Sequence, residues 1–273
     1  MNDHRNLALR FRSLHIPGEP LVLVNAWDAA SARIVAAVGA RAIATTSAGV
    51  AWSLGTPDGD ALGRDTAVDL VRRVVAAAPS LPVTADIESG YGDTADEVAE
   101  SVAAVVAAGA VGVNVEDARH DGAIPLREVD DQCDRLAAVR SAADRAAVPL
   151  FVNARVDTFL RGAGGVAETV ARARAYLAAG ADGVFVPGTV DLGTLAALVE
   201  AIPAPLNVLA GPGAPAVAEL AKIGVARVSL GSSVAEAAYA VAHRAAVEAF
   251  ATGTYDALAD ALDYGTLNEL MRG

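Results

Sequence analysis

The chain has 273 residues, 53% of them hydrophobic and 20% charged, which supplies a sizeable core and is unlike a disordered chain. Its formal net charge of -12 argues against general nucleic-acid binding, and aromatics at only 4% leave the core to Ala, Val, Leu and Ile. One cysteine, Cys133, excludes an internal disulfide and a cysteine-based zinc cluster. No apolar run reaches the roughly 18 residues that a membrane helix needs. The residues ahead of Leu21 include Asp3, Arg5, Arg10, Arg12 and Glu19 and lack the apolar core of a signal peptide. The expectation is a soluble, cytoplasmic protein.

Residues 1–14 alternate polar and apolar side chains at helical spacing and predict a short leading helix, stopped by Pro17-Gly18-Glu19-Pro20. Leu21 to Asp28 reads as a buried strand with a polar far end. Ala29 to Val38 follows as a helix with Gly39 as its C-cap, then Ala42 to Ser47 as a second strand. From there a unit recurs: an Ala-rich helix, an Ala-Gly-Ala step or a variant of it, and a buried strand. Gly39, Gly109, Gly180 and Gly224 each stand where a helix should end in the left-handed conformation. Further strands are predicted at Val83 to Glu88, Val111 to Glu116, Leu150 to Asp157, Gly183 to Val186, Leu206 to Ala210 and Val228 to Gly231. Apolar strands alternating with helices indicate a parallel sheet covered on both faces. Eight such units in order predict an α/β fold, a (β/α)8 TIM barrel, as a single domain over 1–273. A doubly wound open sheet is the alternative, and the lack of G-x-G-x-x-G after the first strand counts against it.

Beyond the last strand come a long helix from Ser232 to Phe250, a break at Thr252-Gly253-Thr254 and a short helix from Tyr255 to Leu262. A barrel needs one closing helix, so this extension over about 232–273 is surplus and available for contacts with another subunit.

In such barrels the functional face lies at the C-terminal ends of the strands. Those ends carry Asn25, Trp27 and Asp28; Thr46 and Ser47; Asp86 and Glu88; Asn114, Glu116 and Asp117; Asn153, Arg155 and Asp157; Pro187 and Gly188; Asn207; and Ser229 and Ser232. Residues i and i+2 of a strand share a face, so Asp86 and Glu88 should project side by side, with Glu116 on the next strand and Arg155 beyond it. Adjacent carboxylates resist burial without a cation, and three can hold one Mg2+ directly or through its waters. A guanidinium nearby can grip a substrate carboxylate with two hydrogen bonds. That arrangement suits polarising a 2-oxo or 2-hydroxy acid so that a developing enolate is stabilised. The competing reading is an ion pair among Asp86, Glu116 and Arg155 that only neutralises buried charge.

Several motifs resemble those of the isocitrate lyase/phosphoenolpyruvate mutase superfamily. They are Asn25-Ala26-Trp27-Asp28, Thr46-Ser47-Ala48-Gly49, Leu54-Gly55-Thr56-Pro57-Asp58, the stretch Asp86-Ile87-Glu88-Ser89-Gly90-Tyr91-Gly92, Val115-Glu116-Asp117 and Asn153-Ala154-Arg155-Val156-Asp157. The resemblance implies a (β/α)8 enzyme dependent on Mg2+ (Mn2+ being the alternative) that makes or breaks C–C or P–C bonds beside a carboxylate. It implies Asp86, Glu88 and Glu116 as the metal shell, with Asp58 in the same cluster. Ser47, Ala48, Gly49 and Arg155 would contact substrate, and Asn207 would stand at the pocket edge. It also implies a last helix swapped between subunits of a dimer or tetramer.

Two departures stand out. Glu88 occupies a position that is often Asp in the superfamily. The loop Ala118 to Pro125 lacks the Lys-Lys/Arg-Cys-Gly-His motif of isocitrate and methylisocitrate lyases, so neither activity is expected. It lacks the Lys and Asn of the P–C enzymes as well. Cys133 lies beyond, in a predicted helix from Glu128 to Ala143, and reads as a structural thiol.

His120, Asp58 and Arg155 are the candidate catalytic residues. His120 has the ordinary pKa of a general acid, with a solvated loop histidine as the competing reading. Asp58 also fits plain turn chemistry, and Trp27, a candidate pocket wall, could equally close the barrel end. Three functions are open. The first is a lyase or decarboxylase of a small 2-oxo- or 2-hydroxy-dicarboxylate; the second, a phosphonopyruvate or phosphoenolpyruvate enzyme; the third, a barrel binding a carboxylate without turnover.

Overall fold

The computed structural model describes residues 2–120 and 124–272. The first apolar run splits in two, β1 (Leu21–Leu23) and β2 (Asn25–Ala26). Parallel strands follow as β3 (Ile43–Thr45), β4 (Val83–Asp86), β5 (Gly112–Glu116), β6 (Phe151–Arg155), β7 (Gly183–Val186), β8 (Leu206–Leu209) and β9 (Arg227–Ser229). β1 pairs with β9 and β2 with β3, so the split run is one stave that closes the ring, and the nine strands make an eight-staved barrel. The predicted (β/α)8 fold is what the chain adopts.

Helices α1 (Asn2–Ser13), α2 (Ala29–Ala37), α3 (Ser47–Ser53), α4 (Arg64–Ala77), α5 (Ala95–Ala107), α6 (Val129–Arg145), α7 (Val166–Ala178), α8 (Leu192–Ala201) and α9 (Val217–Lys222) surround or cap it. Asp28 starts α2 through a capping box with Ser31, and Thr94 starts α5 in the same way with Glu97. The four glycines read as helix stops have positive φ: Gly39 at 92°, Gly109 at 104°, Gly180 at 113° and Gly224 at 90°. Two elements were not expected. Ser47 opens α3 instead of ending a strand, because the chain turns helical directly after β3. The tail forms α10 (Ser233–Ala251), only a short 3-10 turn at Asp256–Leu258, and then α11 (Tyr264–Arg272) in place of a helix from Tyr255 to Leu262.

The N-terminal mouth of the barrel is stoppered by α1. Phe11 and His15 pack on Phe151, the His15 and Phe151 rings stacked with centroids 3.8 Å apart. Gly112 permits this: a Cβ there would stand 2.6 Å from the Phe11 ring. Burial first, then the Arg227 charge, holds the His15 pKa at about 3, so the stopper is neutral. A larger apolar cluster fills the space between sheet and helices, and a smaller one lies under α2 and α4 around Val35, Ile43, Leu70 and Val74. Among the described residues no helix is long and apolar enough to cross a membrane.

Asp182 ties three elements together. It accepts from Arg12 of α1 at 2.6 Å, from Arg140 of α6 at 2.5 Å and from the Val152 amide of β6 at 2.9 Å. Replacing it would leave two guanidiniums without their acid. Asp182→Ala should lower the unfolding free energy by about 2 kcal/mol, measured by chemical denaturation, whereas an unchanged midpoint would show that the tie contributes nothing.

Candidate active site

The polar residues at the C-terminal mouth are placed by strand register. Glu116 lies opposite Arg155 across the β5–β6 pair, and Asp86 opposite Asn114 across β4–β5. The Arg155 guanidinium sits 2.5 Å from Glu116 and 2.6 Å from Asp157. Glu116 and Arg155 thus form an ion pair, Asp157 shares the same guanidinium, and Asp86 makes no salt bridge to it. His120 bonds Glu116 from the other side, Nε2 to Oε1 at 2.8 Å, while its Nδ1 lies 3.1 Å from Arg161. An arginine can only donate there, so Nδ1 carries the lone pair and Nε2 the proton that Glu116 accepts.

Asp86 is the last residue of β4, with Ser47 Oγ donating to its Oδ2 at 3.3 Å. Glu88 is not beside it on the strand. The chain has left β4 by then, and Glu88 sits at φ 52°. Its carboxylate turns toward the loop after α3, where Oε2 accepts from the Gly59 amide at 3.0 Å and from the Asp60 amide. The expectation that period two would align Asp86 with Glu88 fails at this turn. Among the described residues no three acid, histidine or cysteine side chains are spaced to enclose an ion outright. Arg155 already engages Glu116, and Glu88 is held by the two amides.

A divalent cation nevertheless fits the donors present. Asp86 Oδ1 and Glu88 Oε1 are both buried without a hydrogen-bond partner. An unpaired buried carboxylate oxygen calls for a cation or a proton. Burial, helped by the Glu116 and Asp58 charges, pushes Asp86 up to about 6, against the pull of Arg155. Burial likewise pushes Glu88 up to about 7. Glu116 moves the other way: burial would raise it, but Arg155 and His120 outweigh that and hold it low. Asp86, Glu88 and Glu116 are the oxygen donors that would hold Mg2+, directly or through its waters.

Thr46, Ser47, Ala48, Asp58, Asp86 and Arg155, all from the sequence motifs, line a cavity of about 210 Å³. Burial, with the Glu116 charge, raises the Asp58 carboxyl as well. The rest of the lining is Leu160, Phe185, Pro187 and Leu209, with Gly231 and Ser232; Phe185 neighbours Arg155, its ring centroid 5.9 Å from the guanidinium carbon. Gly188 lets the Leu160 loop close in, since a Cβ there would lie 2.4 Å from the Leu160 amide. Sequence reasoning named none of those four apolar residues as pocket wall, because loops and barrel closure bring them together. It also passed over Arg161 and Asp60.

Other expected members lie outside the cavity. Asn207 is buried in the barrel, where its Oδ1 accepts from Ser229. Trp27 packs on the smaller apolar cluster, its Cβ standing where a Gly49 side chain would collide. His120 borders a neighbouring cavity of about 550 Å³ with Asp60, Arg64 and Arg127, and bonds Glu116. Of the loop Ala118 to Pro125, residues 121–123 lie outside the described residues. Asp117 has a structural role, paired with Arg172 and accepting from Tyr176. Cys133 is half-buried against the main core and lines neither cavity.

In the folded chain Asp86 and Glu88 hold protons that the unfolded chain releases near its ordinary values of 3.8 and 4.5. Ionising them therefore costs the fold. Metal-free protein should lose stability as pH rises from about 4 to about 7, and Mg2+ should remove the loss. Thermal melts across that range with EDTA and with Mg2+ check both; a flat profile in EDTA would contradict the site's electrostatics.

Sequence and structure comparisons show the family of the chain. Residues 11–250 match the phosphoenolpyruvate phosphomutase family. An uncharacterized protein of Mycobacterium tuberculosis is 43% identical over 241 residues, covering 87% of this chain and 88% of that protein. The 2-methylisocitrate lyase of Escherichia coli is 32% identical over 212 residues, 71% of this chain and 70% of the enzyme. A Burkholderia cenocepacia crystal structure, of a protein described as a lyase/mutase, superposes with a TM-score of 0.94 at 39% identity, covering 99% of this chain and 98% of that one. The chain belongs to the phosphoenolpyruvate phosphomutase family, and through it to the isocitrate lyase/phosphoenolpyruvate mutase superfamily of enzymes acting on C–C or P–C bonds.

Proposed function

We propose that this protein is a Mg2+-dependent carbon–carbon lyase or decarboxylase of a small 2-oxo- or 2-hydroxy-dicarboxylate, of the oxaloacetate or alkylmalate type. The observation that carries the reading is a cavity whose lining combines Asp58, Arg155 and Asp86, one of whose oxygens is buried without a partner, with the apolar side chains of Leu160, Phe185, Pro187 and Leu209. Bound Mg2+ would supply Lewis-acid polarisation of the 2-oxygen. Arg155 clamps the adjacent carboxylate and, held by Glu116 and Asp157, keeps a fixed orientation. The first turn of α3 brings the amides of Ala48 and Gly49, which have no helical partners, to meet developing negative charge, while the Ser47 amide is already turned to Asp86.

Asp58 faces the cavity, its carboxyl raised by burial and the Glu116 charge, and its ionised form serves as the base. With a 2-hydroxy acid it takes the hydroxyl proton as the C2–C3 bond breaks. C2 becomes the keto carbon of a 2-oxo acid, and the electron pair leaves as the enolate of the second acid, which regains the proton from Asp58. With oxaloacetate, CO2 leaves and the pyruvate enolate is protonated instead. His120 holds Glu116, and through it Arg155, from behind. The apolar lining of Leu160, Phe185, Pro187 and Leu209 favours an alkyl-substituted or short chain over a third carboxylate.

Turnover is tested by incubating the protein and Mg2+ with oxaloacetate, 2-alkyl- and 3-alkylmalates and phosphonopyruvate. Keto-acid release from the carbon substrates is expected, and phosphate release from phosphonopyruvate would favour P–C chemistry instead. Asp86→Asn should lower kcat/KM at least about 1,000-fold, and Arg155→Gln about 100-fold, chiefly through KM. No turnover of any of these, with carboxylate binding intact in Asp86→Asn, would leave a non-catalytic binding barrel.

The assembly proposed with this reading is a cytoplasmic homo-oligomer, a dimer or tetramer, with C-terminal helices exchanged between subunits. Along α10 and the tail, Phe250 is 89% and Tyr264 85% exposed, with Val247 and Tyr255 also uncovered. Apolar side chains in that number ask for cover. Light scattering should give at least twice the monomer mass, and a monomer would refute the assembly.

A further inference from the structure

Arg227, at the start of β9, is 0% exposed and lies in the barrel lumen beneath the acid wall. Its Nε donates to Ser229 Oγ at 3.2 Å and its Nη2 to Asn114 Oδ1 at 3.4 Å, both neutral acceptors. Nη1 has no partner. Among the described residues no carboxylate stands within ion-pair distance of it. A buried guanidinium without an acid is costly, and methionine or leucine would fill the space without that cost.

Its surroundings show which way the charge acts. Below, toward the N-terminal mouth, is the His15 stopper, kept neutral in part by this charge. Above, Asn114 accepts from both Arg227 and Asn153 and stands opposite Asp86 in register. Asp86 is the acid whose field reaches Arg227. The lumen between them is a low-dielectric space without ion pairs to screen the field, so one fixed charge acts over several ångströms.

We propose that Arg227 is a positioning residue that sets the charge balance of the active site from beneath: it weakens the hold on Mg2+ alone and strengthens the hold on a dianionic substrate. This deepens the proposed function and rests on its metal site. The consequence is ordered and reversible use of the metal, which binds loosely to the empty site and firmly once a dicarboxylate supplies the opposing charge. A guanidinium that served only to organise Asn114 and Ser229 would have no such opposite effects.

The test is calorimetry of Mg2+, and of oxalate with and without Mg2+, on the wild type, Arg227→Met and Arg227→Lys, with folding checked by circular dichroism. Arg227→Met should bind Mg2+ about tenfold more tightly and oxalate about tenfold more weakly. Arg227→Lys keeps the charge while losing the two-armed hydrogen bonding, and should stay near the wild type in both. If Arg227→Met does not fold, Arg227→Gln takes its place with the same opposite shifts expected. Equal affinities in all variants, or a loss of both ligands together in Arg227→Met and Arg227→Lys alike, would overturn the inference while leaving the metal site standing. A wild type that takes up neither Mg2+ nor oxalate would remove the metal site itself, and this inference with it.

Discussion

Glu116 and Asp157 compete for one guanidinium, that of Arg155, and the rest of the site depends on how that contest is settled. β5 and β6 are in register, so Glu116 and Arg155 have no choice but to meet. Arg155 lies 2.5 Å from one acid and 2.6 Å from the other, and Asp86 adds to its field. It thereby keeps Glu116 ionised in a buried place. It does not reach far enough to satisfy Asp86 and Glu88, whose carboxyls stay high and whose free oxygens stay unpaired. The barrel mouth thus divides into an anion already neutralised and two acids that still need a cation. An ion pair and a metal site are usually offered as rival explanations of such a cluster; here they are adjacent parts of it.

That division also orders the cavity. The acids and Arg155 define where the head of a 2-oxo or 2-hydroxy acid can rest, and Leu160, Phe185, Pro187 and Leu209 complete the lining. Below the floor, the lumen is polar but almost free of charge: Asn114, Asn153, Asn207 and Ser229 bond to one another around the single cation of Arg227. Farther down, an aromatic stopper closes the barrel. Charge thins from the mouth into the lumen and returns around the stopper, in the Arg12–Asp182–Arg140 tie, and the reacting end is the end where water, metal and substrate can enter.

Much of this was legible in the sequence because it rests on short-range rules. Strand runs and helix-stopping glycines repeat at fixed spacing, which is sufficient for a (β/α)8 barrel. Asp86, Glu116 and Arg155 lie within or at the ends of strands, where period two predicts their common face. Glu88 did not follow, because it lies two residues past Asp86 in a left-handed turn whose direction strand periodicity cannot encode. Asn207 was placed at the pocket edge by the family resemblance alone; its height in the barrel depends on the stagger between strands, which only closure of the ring sets. Arg227 and the apolar lining depend on that same closure. The tail was misread in detail because its apolar residues point outward, so the pattern that marks a buried helix face is missing.

The most direct test of the account is a crystal structure of the protein soaked with Mn2+ and oxalate, with anomalous diffraction used to locate the metal. The account predicts one metal peak bounded by Asp86, Glu88 and Glu116, with oxalate between it and Arg155. A metal bound elsewhere, or oxalate held by Arg155 with no metal against Asp86, would contradict it.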